Sequence, residues 1–233
     1  MSFEENGERI KDLQLILQRA AFAATLFDDD GVEIRFMNED LPPQQVSNIR
    51  SEQQIEQILA SKRYKGLTPF GTELRKKVVD PILVSKLNSG QMRKPLLIIS
   101  ITDGQPAGEN QNTLVETVQY ACQAAQRSPY GAGAVAFQFA QVGNDQKATE
   151  FLAKLDNDPM VGREVDCTSS EYLPTHSGFA NRKIVSILRV QAKTRAMASQ
   201  RSQSEGLRLS RWPSDAQEDA MLLGINADST CRL

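Results

Sequence analysis

The sequence predicts an α/β protein, Rossmann-like, with a mainly parallel central sheet flanked by helices. Three observations carry that expectation. The run Leu96-Leu97-Ile98-Ile99-Ser100-Ile101 is apolar on both faces of a strand, as expected when helices cover both sides of a parallel sheet. It ends abruptly in Thr102-Asp103-Gly104-Gln105-Pro106, which delivers a carboxylate to the strand's carboxyl end, where open α/β sheets place ligands. Segments of helical and strand periodicity also alternate along most of the chain, the pattern of βα units.

The elements follow in order. From Glu8, apolar Ile10, Leu13, Ile16, Leu17, Ala20, Ala21, Ala24 and Phe27 recur at helical spacing and define one buried face. Asp28-Asp29-Asp30-Gly31 breaks that helix; it lacks the ligand spacing and closing Glu of a calcium loop and reads as a solvated turn. Val32 to Met37 alternates with a period of two and is a strand, while Leu41 to Val46, with Pro42-Pro43, is loop with a short edge strand near Gln45. Ser51-x-x-Gln54 is a capping box for a helix reaching about Lys62, with Ile55, Ile58 and Leu59 inside. Thr72 caps the next helix, which carries Leu74, Val78, Val79, Ile82 and Leu83 and which Pro81 should end or kink.

Asn88-Ser89-Gly90 turns the chain into the apolar strand. Thr113-x-x-Glu116 is a second capping-box pattern, opening a helix to about Arg127. Ala134 to Val142 is another strand, Asn144 caps a helix through Leu155, and Gly162 to Cys167 is the last strand of a domain spanning residues 3–168. Residues 169–233 read as a basic, poorly ordered extension. Between 180 and 211 eight basic residues stand against the single acidic Glu205, although the whole chain has a net charge of −2. With few aromatics to stack on bases, this tail makes nucleic acid an unlikely partner by composition.

Composition narrows the function classes. At 233 residues, with 40% hydrophobic and 24% charged, the chain can bury one ordinary core and is neither disordered throughout nor a membrane protein by composition. No apolar run approaches the ~18 residues of a membrane span, and the acidic start Met1-Ser2-Phe3-Glu4-Glu5 lacks a signal-peptide core, so a cytoplasmic location is expected. Cys122, Cys167 and Cys231 are odd in number and widely spaced, which supplies neither a disulfide framework nor a zinc motif. His176 is the only histidine, which leaves little for a catalytic triad. The alternatives are nucleic-acid binding through the basic tail and a nucleotide-using enzyme on a Rossmann-like sheet, for which neither Gly-x-x-x-x-Gly-Lys-Ser/Thr nor Gly-x-Gly-x-x-Gly occurs.

The segment Gly66-Leu67-Thr68-Pro69-Phe70-Gly71-Thr72-Glu73-Leu74 has the form of a loop running into a helix, and some thirty residues later comes the strand ending in Thr102-Asp103-Gly104. In this order the two segments resemble the von Willebrand factor type A family, most closely its fungal, intracellular-type branch. The resemblance implies a non-enzymatic protein-interaction domain whose metal-ion-dependent adhesion site holds Mg²⁺. Thr68 would supply the second loop's hydroxyl, Asp103 the third loop's carboxylate, and a partner protein's acidic side chain the remaining ligand. Thr and Asp are hard oxygen donors suited to that cation. The family's first strand and its Asp-x-Ser-x-Ser loop have no counterpart before the first helix, so weak Mg²⁺ binding is expected. Without that central strand, the strands at Val32 and Leu96 would stand nearly ~10 Å apart, too far to hydrogen-bond. They must close together, another segment must fill the gap, or the chain is a fragment beginning upstream; the fragment reading is the expectation.

Overall fold

The computed structural model describes residues 8–25, 31–60, 66–168 and 221–225. Five strands, β1 (Val32–Phe36), β2 (Leu96–Thr102), β3 (Val135–Gln141), β4 (Val165–Thr168) and β5 (Met221–Ile225), form one sheet in the order β1-β5-β2-β3-β4. Every adjacent pair is parallel. Helices lie against both faces, so the architecture is a mixed α/β sheet compatible with a Rossmann-like fold.

The gap expected between the first two strands is occupied. β5 pairs with β1 from Val32↔Met221 to Phe36↔Ile225, and with β2 from Ile98↔Leu222 to Ile101↔Ile225. The expectation that everything after residue 168 is extension is therefore corrected for 221–225. Met-Leu-Leu-Gly-Ile is a short apolar run of the kind a doubly covered central strand requires. Its isolation beyond a long basic segment hid it from a reading that relied on neighbouring periodic elements. The basic stretch 180–211, His176 and Cys231 lie outside the described residues.

Strand alternation divides the core in two. Leu97, Ile99 and Ile101 of β2 pack with Leu13, Ile16 and Leu17 of α1 (Glu8–Thr25) and Ile55, Ile58 and Leu59 of α3 (Glu52–Ala60). On the other face Leu96 and Ile98 meet α4 (Phe70–Leu74), its continuation through α5 (Ser85–Ser89), α6 (Thr113–Arg127) and α7 (Gln146–Asp156). The rings of Phe137 and Phe139 stack nearly parallel at 6.2 Å, and Phe70 meets Phe139 edge-on at 5.5 Å.

Several local signals act as read. Ser51 Oγ accepts from Gln54 N–H at 3.3 Å, and Gln54 Oε1 accepts from Ser51 N–H at 3.0 Å, completing the capping box. Others differ. Residues 43–46 form a short helix, α2 (Pro43–Val46), rather than an edge strand near Gln45, because Pro42 and Pro43 pre-set the first turn. The α7 cap is Asp145, whose Oδ1 accepts from Ala148 N–H at 2.8 Å, one residue beyond Asn144. Thr113 makes no capping bond, and α6 opens after Asn112 without a side-chain cap. Pro81 neither ends nor breaks its helix: Arg75–Val84 widens to a π-helix through it, a register that avoids the clash of the ring with the carbonyl four residues back.

Candidate functional site

The carboxyl edge of the sheet gathers the ends of β1, β5 and β2, together with the two loops singled out by sequence. Thr68 is fully buried and Asp103 is 2% exposed. Their loops are tied directly, with Ala107 N–H donating to Thr68 O at 2.8 Å. Thr102 Oγ1 donates to Gly104 O at 2.8 Å and accepts from Gly104 N–H at 3.2 Å, which folds the turn after β2 back on itself.

A second tie comes from a residue the sequence reading missed. Glu109 accepts from Gly71 N–H at 2.8 Å and Thr72 N–H at 2.9 Å, and Thr72 Oγ1 donates to it at 2.7 Å. The donors at the start of α4 are thus met by a carboxylate 37 to 38 residues away rather than by a local Thr72 cap. A Cβ on Gly71 would stand 2.5 Å from the Leu114 nitrogen, so only glycine lets α4 approach α6 this closely. Thr117 Oγ1, on α6, donates to Gly71 O at 3.1 Å. No spacing rule reveals Glu109, because its partners are set by the crossing of two loops.

Lys77 organises the β1 side of this edge. Its Nζ donates to Phe36 O and Met37 O, both at 2.8 Å, and to Glu39 O at 3.3 Å, and it pairs with Asp40 at 2.8 Å and Glu73 at 3.1 Å. The bond from Lys77 and its charge hold the Asp40 carboxyl below the ordinary carboxylate range. Arg35 pairs with Glu33, and burial lowers its guanidinium from the ordinary value. A cleft is lined by Arg35 of β1, Ser100 of β2 and Phe70, Leu74, Lys77 and Val78 of the helical segment 70–84. Arg35 and Ser100 both register with Gly224 of β5. Ser100 Oγ is buried there with no hydrogen-bond partner.

Burial, then the nearby Glu164, pushes the pKa of the Cys122 thiol up to about 12, and burial with Asp156 and Asp166 raises that of Cys167. Among the described residues no group of three His, Cys, Asp or Glu side chains could hold a metal ion, and no helix is long and apolar enough to cross a membrane. Thr68 and Asp103, the two oxygen-bearing residues singled out by sequence, both lie buried at this edge.

The class of molecule defined so far is an α/β domain with a parallel sheet, a doubly covered core and a polar carboxyl edge built from two tied loops. No family model, curated protein or solved structure matches the chain.

Proposed function

We propose that this chain is a non-enzymatic protein-interaction domain of von Willebrand factor A type, binding Mg²⁺ at the carboxyl edge of its sheet and engaging an acidic side chain of a partner protein. The observation that carries the reading is β5. It supplies a central strand between β1 and β2, next to the turn that bears Asp103, in the position where the resemblance calls for the strand preceding the first ligand loop.

Mg²⁺ takes six oxygens and keeps several waters, so the one hydroxyl and one carboxylate of Thr68 and Asp103 would hold it weakly. When bound, the cation would supply a positive charge open to a carboxylate. The buried Asp103 and the tied loops would keep their oxygens in place beforehand.

Calorimetric titration of Mg²⁺ into the full chain tests this. Weak binding is expected, weakened at least ~10-fold by Asp103→Ala, because it removes the charged ligand. Binding by that variant equal to the parent's would overturn the metal reading.

A further inference from the structure

We propose that the cleft between the helical segment 70–84 and the sheet binds a small monocarboxylate with a short aliphatic tail. The site uses neither the Thr68 nor the Asp103 oxygens.

Ser100 carries the case. One face of β2 alternates as Leu96, Ile98 and Ser100, and the first two pack in the core beneath the helices. Ser100 stands where that alternation calls for a third apolar side chain, and it is only 1% exposed. Its Oγ has no hydrogen-bond partner among the described residues. A buried hydroxyl left unmatched has given up water without compensation, so such groups are rare in folded proteins and call for a reason. A ligand in the cleft that Ser100 lines supplies one.

The charges around Ser100 select the sign of that ligand. Two cations, Arg35 and Lys77, line the cleft against one anion, Glu73. Glu73 is already paired with Lys77 at 3.1 Å and Lys76 at 3.9 Å, so it does not call for a cationic ligand. Lys77 has no donor to spare, because its ammonium already faces the carbonyls of Phe36, Met37 and Glu39 and the carboxylates of Asp40 and Glu73. Arg35 has donors to spare. Among the described residues its guanidinium bonds only Ile34 O, at 3.2 Å, and Glu33, which leaves N–H groups of its fork for a further acceptor. Its side chain is 25% exposed, and partial burial disfavours its charge, so an anion beside it is favoured. Arg35 and Ser100 stand two strand spacings apart, ~10 Å at their Cα atoms, a span that one long Arg side chain and one carboxylate bridge. A carboxylate there accepts from the guanidinium and from the Ser100 O–H.

The remaining wall sets the tail. Phe70 and Val78 are buried apolar side chains facing the same space. That space is about 300 Å³ with its open mouth included, at the lower end for small-molecule sites, so the tail is short. Lys77 and Val78 reach it from the π-helical stretch Arg75–Val84, a helix form found frequently at functional sites.

The test is an NMR titration of the full, isotope-labelled chain with hexanoate, butyrate and hexylammonium, at constant ionic strength and in EDTA. Saturable shifts of the Arg35, Leu74, Val78 and Ser100 amides are expected with hexanoate. Its affinity should be at least ~10-fold above that of butyrate, which is two methylenes shorter, and hexylammonium should not saturate. Ser100→Ala should weaken hexanoate at least ~5-fold while leaving the urea midpoint unchanged or raised, because no bond within the fold is lost. Arg35→Gln should weaken it at least ~10-fold. Absence of saturation with hexanoate would overturn the proposal, as would hexylammonium binding equally well or hexanoate affinity unchanged in either variant. A lowered urea midpoint for Ser100→Ala would overturn it too, by revealing a partner for that hydroxyl inside the fold. EDTA removes divalent cations, so failure here leaves the Mg²⁺ reading untouched, and the reverse.

Discussion

The two halves of the sheet are built by different rules. On the β2-β3-β4 side α6 follows β2 and α7 follows β3, and neighbours in sequence are neighbours in space. On the β1-β5 side the strand beside β1 comes from the other end of the described chain, and β1 reaches β2 only across it. The first half assembles from local crossovers. The second depends on a long-range pairing whose loop-closure entropy must be met before any contact rewards it. The same fold therefore contains a half legible from periodicity and a half that depends on a pairing between distant segments.

That contrast can be broken most directly at β5. Leu223→Pro removes a donor from the middle of a central strand, and Ile99→Pro does the same in β2. Both should abolish most of the ~5–15 kcal/mol of a domain's stability, read as the loss of a cooperative urea transition. A Leu223→Pro variant with an unchanged midpoint would show that the β1-β5 half does not close as described.

Next in size is the core of the locally wound half. Phe137 is fully buried and stacks on Phe139. Phe137→Ala should cost ~3–5 kcal/mol, and Leu17→Ala on the opposite face ~2–5 kcal/mol. Comparing their urea midpoints ranks the two layers; a negligible loss at Leu17 would mean that α1 is not packed on the sheet.

Lys77→Met should cost about 2 kcal/mol in thermal or chemical unfolding, because carbonyls of Phe36 and Met37 lose a charged donor. It also removes a pH effect. The Asp40 carboxyl is held below its unfolded value, so its contribution is present above the unfolded pKa and is lost as pH falls through the lower folded one. Asp40 is 80% exposed, so this contribution is small. The variant should show a shallower loss of stability in acid between those two values. An unchanged acid limb would assign that slope to other carboxyls.

The smallest effect belongs to a local signal. Asp145→Ala should cost ~1 kcal/mol by removing the cap that Asp145 Oδ1 provides to Ala148 N–H, with Asp145→Asn recovering most of it. A loss of ~3 kcal/mol instead would place Asp145 in a wider network, where Gln141 Nε2 already donates to its carbonyl at 2.8 Å.

By itself the sequence determined the elements whose rules are short-ranged. The apolar period of α1, the Ser51–Gln54 box, the doubly apolar β2 and the turn placing Asp103 at its end all follow from residues within a few positions of one another. It also marked Thr68 and Asp103, because hydroxyl and carboxylate beside turn residues are visible locally. Only the tertiary structure decided that Met221–Ile225 lies between β1 and β2, that Glu109 caps α4, and that Lys77 clamps the end of β1. Each of these pairs groups tens to nearly two hundred residues apart, and backbone or side-chain groups of that kind carry no sequence period. Their partners are chosen by which unsatisfied donors and acceptors the packed layers bring together, and that choice exists only once the layers have met.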